Sequence, residues 1–259
     1  MMDYNKIQPI AELYGPVPQS EGSKAGIPHI VVRTTGCTHR CFFAGGGFCD
    51  TWYTSIHPVK GKYSLNQIYE YFVEHDDINH LMLTGGSPTM HPELCNEIIN
   101  IFKRIHYGNG IVTLETEGSH FIQTDEKIDL ISMSPKFSNT IPQIGDILPG
   151  GGFVDQKLID QHNKFRLNKD VIRQMFDYHA DYQFKPVCNP VKTPLDWLEI
   201  ENFRLEMKIP KSKTWIMPPG DNRQNVIENM VDVIQFCGDN GYCYSGRDHI
   251  IAFGDKREV

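Results

Sequence analysis

HIVVRTTGCTHRCFFAGGGFCDT, residues 29–51, decides how this chain is read. Ile30, Val31 and Val32 form a β-branched apolar run that breaks at Thr35-Gly36, and Cys37, Cys41 and Cys49 follow at once. A buried strand therefore delivers three thiols into the loop at its carboxyl end. Five later segments have the same form, an apolar run ending in Gly, Pro or polar residues: HLMLTGGSP (80–88), GIVTLETEG (110–118), DLISMSPK (129–136), YQFKPVCN (182–189) and TWIMPPGD (214–221). Helical patterns over 65–75, 92–105, 169–178 and 222–237 lie between or after them. This alternation predicts an α/β fold, an open partial (β/α) barrel of about six parallel strands, with ligands gathered at the strand carboxyl ends. The 259 residues read as one domain, and 137–168, with Gly150-Gly151-Gly152, reads as an insertion or long loop.

A hydrophobic share of 40% with 22% charged residues supports an ordinary packed core. The formal charge of -7 argues against a nucleic-acid footprint, which needs clustered Lys and Arg. No apolar run approaches the roughly 20 residues of a membrane helix, and the opening MMDYNKIQPIAELYG lacks a signal peptide's apolar stretch. The expected location is the cytoplasm.

Three of the seven cysteines fall in one loop, which in a reducing compartment means metal before disulfide. Four thiolates close a 4Fe-4S cluster; three leave one iron open, able to chelate the amino and carboxylate groups of S-adenosylmethionine (SAM) and pass an electron to its sulfonium. The alternative is a structural zinc site with His39 or His57 as fourth ligand, in a binding module without catalysis. Cys95, Cys188, Cys237 and Cys243 read as core residues.

The cysteine motif resembles that of the radical SAM superfamily, in which C-x3-C is followed by two residues and a third Cys preceded by an aromatic. Here Cys37-x3-Cys41 is followed by seven residues, and Phe48 keeps the aromatic position. Gly45, Gly46 and Gly47 let the longer loop bend back. Within the superfamily the chain resembles 7-carboxy-7-deazaguanine synthases over most of its length, through ELYGPVPQSEGSKAGIPHIVVRTTGC (12–37) and CDTWY (49–53). A generic activase of a glycyl-radical partner protein shares the cluster but not this combination.

The resemblance implies site roles. Cys37, Cys41 and Cys49 hold the 4Fe-4S cluster, with Phe48 and Asp50 beside SAM, and Thr51 binds Mg2+. Pro18, Gln19 and Ser20 line the substrate pocket, and Arg33 pairs with the substrate's carboxylate, a task suited to its planar fork. Taken alone, Arg33 reads equally as a strand-end salt bridge and Thr51 as a loop hydrogen bond. LMLTGGSP resembles the superfamily's G-G-E-P, which puts Thr84 toward substrate and Gly86 toward SAM; Ser87 stands where glutamate is usual. LETEG resembles E-T-N-G, which assigns Glu115 to the substrate's heterocycle and puts Glu117 in the Asn position. Two carboxylates one residue apart share a strand face, so one of them can be a structural partner. Ser134-Pro135-Lys136 and Met217-Pro218-Pro219-Gly220 match loops that hold the ribose and adenine of SAM, though Pro and Gly punctuate any loop. His249 resembles a C-terminal histidine that contacts substrate. The implied partners are a small-molecule pterin, a flavodoxin- or ferredoxin-like reductant and a second copy of the chain in a homodimer, with neither membrane nor direct nucleic-acid contact.

Overall fold

The computed structural model describes residues 2–43, 47–254 and 256–258. Its centre is a six-stranded sheet built from β1 (Ile10–Pro18), β2 (Pro28–Thr34), β3 (His80–Gly85), β4 (Ile111–Thr116), β5 (Leu130–Met133) and β6 (Tyr182–Phe184), in the order β6-β5-β4-β3-β2-β1. Strands β2 to β6 are parallel and β1 runs antiparallel to β2. The expected six parallel strands are thus five. The sixth, β7 (Trp215–Ile216), pairs in parallel with β8 (Cys243–Tyr244) and meets the main sheet only through single bridges, Phe184 to Thr214 and Val187 to Met217. Pro186, Pro218 and Pro219 lack the N–H groups a continuous ladder would need there. β1 escaped the reading because Gly15, Pro16 and Pro18 look like loop residues; they sit beyond a register shift at the far end of an edge strand, where Pro is tolerated.

The helices are α1 (Trp52–Ser55), α2 (Leu65–Glu74), α3 (Pro92–Ile105), α4 (Gln156–Phe165), α5 (Lys169–Tyr178), α6 (Pro194–Glu206), α7 (Arg223–Asn240) and α8 (Asp248–Phe253). Most of the longer helices start for a chemical reason. Ser64 and Gln67 form a reciprocal capping box on α2, Pro92 opens α3, and Asn222 caps α7 through the Asn225 N–H. α7 ends at Gly241, whose φ of 72° suits glycine. Leu94, Cys95, Ile98, Ile99, Ile101 and Phe102 recur at helical spacing on α3 and pack into the core with Leu81, Leu83, Val112 and Leu114 of the sheet.

Two expectations change. The 137–168 segment contains α4, capped by Asp155 and so polar that His162 is its single buried residue, which leaves no apolar stripe to read. Helix α6, begun by Pro194, was also unread. Cys95, Cys188 and Cys237 are buried as expected, but Cys243 is only half-buried, its thiol turned to the Ser212 carbonyl at 3.5 Å.

Candidate active site

A cavity of about 610 Å3 opens where the carboxyl ends of the parallel strands converge. Two interlocked loops form its cofactor side. The Gly36 N–H donates to Thr54 O at 2.7 Å, the Ser87 N–H to Gly36 O at 2.8 Å, and the Gly86 N–H to Thr34 O at 3.2 Å. A Cβ on Gly86 would collide with the Gly36 carbonyl and with Thr54 O, so the G-G-S turn after β3 fits against the T-G-C turn after β2 only without side chains. Gly86 lines the cavity and also locks Cys37 in place.

Cys37, Cys41 and Cys49 all line this cavity. The Cys49 N–H donates to Cys41 O at 3.1 Å, closing the loop, and Phe42 and Phe48 pack edge to face across it. Gly45 and Gly46 lie outside the described residues; Gly47, at φ 75°, is beside the Asp221 carboxylate, where a Cβ would not fit. The His39 N–H points at Cys37 Sγ from 3.4 Å. Burial pushes all three thiols above their ordinary range, Cys41 to about 12. The loop therefore stays protonated until a cation displaces the protons, as metal binding does. Among the described residues no group of three or more His, Cys, Asp or Glu side chains converges on one metal ion. A cluster makes no such demand, since each thiolate meets a different iron, whereas zinc needs every donor within about 2.0–2.3 Å of one point. The zinc alternative also needs an imidazole: His57 lies against Gly150, while His39, bonded to Thr38 Oγ1 through Nδ1 at 2.9 Å, keeps a buried Nε2 without a hydrogen-bond partner.

The segment 137–168 supports this loop. The buried His162 accepts the Arg40 N–H at Nδ1, 3.2 Å, and bonds Thr140 Oγ1 at 3.1 Å through Nε2; Gln161 donates to Thr38 O at 3.3 Å. Thr140 Oγ1 gives its proton to Phe137 O, so Nε2 carries the imidazole hydrogen. Burial and the neighbouring His39 pull the His162 pKa to about 3, keeping this neutral tautomer.

Opposite the thiols the cavity is ionic. Arg33 Nε donates to Glu12 at 2.6 Å and Nη2 to the Tyr14 hydroxyl at 3.3 Å. Lys185 is buried between Glu21 and Glu115, 2.6 Å from each, and Thr84 Oγ1 donates to the other Glu115 oxygen at 3.0 Å. Burial opposes the charge on Glu115, but Lys185 outweighs it and holds the carboxyl at about 2; in return the two carboxylates raise Lys185. Arg247 Nη2 meets Asp50 at 3.0 Å, while Nη1 donates to Gly220 O, and His249 Nε2 is 3.8 Å from Asp50 and 4.0 Å from Glu21. Burial again works against Asp50, yet His249 and Arg247 hold it well below the carboxylate range.

Most of the residues expected from sequence meet here. Cys37, Cys41, Cys49, Pro18, Gln19, Ser20, Arg33, Thr51, Thr84, Glu115 and His249 line the cavity, as do Phe48, Asp50, Gly86, Ser134, Lys136, Met217 and Gly220. Pro135, Pro218 and Pro219 do not; they are buried in the turns behind it. Asp50, expected beside SAM, is engaged by Arg247, and Thr51 Oγ1 lies 3.3 Å from Cys49 Sγ. Lys185, Glu21, Glu12 and Arg247 were not read as site residues. A lysine at the end of a buried strand, as in F-K-P, was a usable signal; Glu12 and Arg247 gave none.

Against known proteins, the Radical SAM superfamily description matches residues 31–140. The 7-carboxy-7-deazaguanine synthase of Halobacterium salinarum is 30% identical over 257 residues, 97% of this chain and 92% of that protein. That of Rhodopirellula baltica is 26% identical over 239 residues, 92% of this chain and 84% of its own. The crystal structure of QueE from Escherichia coli superposes with a TM-score of 0.56 at 16% identity, covering 92% of both chains, and shares the fold. A parallel sheet whose first strand feeds a three-cysteine loop into a strand-end cavity defines a radical SAM enzyme, one that works with SAM and a 4Fe-4S cluster. The chain belongs to the 7-carboxy-7-deazaguanine synthase family. The zinc-module and activase alternatives fall with that assignment.

Proposed function

We propose that the protein converts 6-carboxy-5,6,7,8-tetrahydropterin to 7-carboxy-7-deazaguanine, a ring contraction with loss of ammonia, for queuosine or related deazapurine synthesis. The full-length similarity to the synthases carries this reading. The cavity suits such a substrate. Arg33 has its Nε edge engaged by Glu12, which fixes the guanidinium plane and leaves Nη groups to take the substrate carboxylate. Glu21 and Glu115 share Lys185, with Arg247 Nε also 3.7 Å from Glu21, and their spare acceptor lone pairs suit the N–H donors of a pterin edge. Gln19, Ser20 and Thr84 add neutral polar contacts, and His249 lines the cavity on the Asp50 side. When bound, the cluster and SAM supply the hydrogen-abstracting radical. The protein's own task is to hold the carboxylate-bearing carbon toward that side and exclude water.

Mg2+ is the third cofactor in this reading. Thr51 would give one hydroxyl, with substrate oxygens and waters completing the shell. The electron comes from a flavodoxin- or ferredoxin-like donor, and the enzyme works in the cytoplasm as a homodimer. Exposed Leu195, Leu198 and Leu205 on α6, with Val231 and Ile234 on α7, support a self-association face. No helix among the described residues is long and apolar enough to cross a membrane.

The deciding experiment supplies SAM, a strong reductant, Mg2+ and the carboxylated tetrahydropterin anaerobically and looks for carboxy-deazaguanine by mass spectrometry. Arg33→Ala should lose turnover by an amount equivalent to about 2–5 kcal/mol while uncoupled SAM cleavage survives. Thr51→Ala should lose Mg2+ stimulation and keep the cluster spectrum. Deoxyadenosine without carboxy-deazaguanine at any pterin concentration would sink the reading.

A further inference from the structure

The buried carboxylates of the cavity are not all paired alike. Glu12 has Arg33, Glu115 has Lys185 and Asp50 has Arg247. Glu117, 5% exposed at the end of β4, has no Lys or Arg partner among the described residues. Its oxygen Oε1 accepts from two neutral hydroxyls, Ser87 Oγ at 2.6 Å and Ser119 Oγ. The nearest basic atom is His39 Nδ1 at 3.9 Å, beyond hydrogen-bond range and already bonded to Thr38. A carboxylate this buried is expensive to leave without a cationic or strongly donating partner. Glu117 also faces the cofactor half of the cavity, lining it together with Cys37, Cys41, Gly86 and Ser134. Its charge adds to the burial that raises the Cys37 thiol, which places it close to the cluster loop.

We propose that Glu117 is the carboxylate that takes the amino group of SAM in this enzyme, with Ser87 and Ser119 as the hydroxyls that aim it. The inference rests on the radical SAM assignment and not on the identity of the substrate. SAM bound at an open iron presents its amino group beside the thiol loop, and that amino group is the N–H donor an unpaired buried carboxylate lacks. Oε1 accepts from both serines, which leaves Oε2 to accept from it. Two of the points at which the chain departs from its motifs, Ser87 and Glu117, touch each other across neighbouring strands. The carboxylate has moved from the loop after β3 to the loop after β4, and a small hydroxyl fills the place it left. Ser87 is fully buried beside Glu117.

The test measures SAM binding to the anaerobically reconstituted protein by equilibrium dialysis, alongside iron and sulfide content. Glu117→Gln should weaken SAM binding about tenfold or more, the value of a charge-assisted hydrogen bond, with cluster content unchanged. A SAM analogue lacking the α-amino group should bind the variant as it binds the parent, since the lost partner is absent from it. The exchange variant S87E/E117N, which returns the carboxylate to the loop after β3, should recover most of the lost SAM affinity. Parent-like SAM binding by Glu117→Gln overturns the proposal, as does an equal loss for SAM and the deaminated analogue, which would mark a structural role. If Glu117→Gln fails to load a cluster, the exchange variant decides: a loaded cluster without recovered SAM affinity overturns it. A parent protein that loads a cluster but binds no SAM would instead bring down the radical SAM reading.

Discussion

Lys185 shows how a single side chain organises the substrate half of the cavity. It is buried, it neutralises Glu115 and Glu21 together, and nothing else among the described residues reaches both carboxylates. Removing it strands Glu115 and leaves Glu21 only Arg247 at 3.7 Å and His249 at 4.0 Å, so Lys185→Met should cost about 3–5 kcal/mol of stability near neutral pH. The pH dependence has a definite sign. Glu115 titrates at about 2 when folded against an ordinary 4.5, so its pairing contributes fully above pH 4.5 and is lost as pH falls toward 2. Without Lys185, burial dominates and pulls the carboxyl above 4.5, so the variant's deficit should shrink on going from about pH 7 to about pH 5. Urea unfolding at both values checks this; an equal deficit at the two would show that Lys185 acts through packing alone. The thiols should behave differently, because each would hold a separate iron of the cluster. Alanine at Cys37, Cys41 or Cys49 should remove the cluster, whereas Cys95→Ala, on the core face of α3, should leave it. Iron and sulfide assays read this directly, and a full cluster in Cys49→Ala would refute the seven-residue spacing.

Among the elements, α4 carries more than its composition suggests. A polar helix with one buried residue contributes little to the core, yet that residue, His162, accepts the Arg40 N–H in the middle of the cysteine loop. Loss of the acceptor would leave a buried backbone donor unpaired at about 1–3 kcal/mol. His162→Ala should therefore load a cluster that decays faster in air or chelator than the parent's, while Lys157→Ala on the exposed face of α4 should not. Decay of the cluster absorbance measures it, and equal lifetimes would reduce α4 to a surface element. The turns after β2 and β3 are the second case. Their hydrogen bonds run from one loop to the other, so Cys37, Gly86 and Ser87 move as one unit.

Across the whole molecule stability is uneven. The five parallel strands form continuous ladders with an apolar core, but β7 and β8 join them through single bridges. Backbone amides in β7 and β8 should thus exchange with deuterium well before those of β2 to β4, because local opening there breaks few bonds. Met217 and Gly220 line the cavity from this loosely attached edge. Adding SAM to the loaded protein should slow exchange at residues 214–221 more than in α2 or α3. Uniform protection across the chain would show that the edge is already closed.

The sequence alone determined the strand-loop-helix alternation and the three-thiol loop, since each is a local pattern: an apolar run, a break, a reactive residue; the other lining residues it named came through the family resemblance. Apolar periodicity set α3 and α5 to within a residue because the same side chains that define a helical face also bury it. Pairing is not local, and there the tertiary structure decided. Only it set β1 antiparallel on the edge, split β7 from the ladder, and gave the polar α4 a purpose through one buried histidine. Only it joined Lys185 to Glu21 and Glu115 over 164 and 70 residues of chain, and Ser87 to Glu117 over 30. A residue's type announces a charge or a lone pair, but its partner, and so its pKa and its role, depends on which strand ends the fold brings face to face.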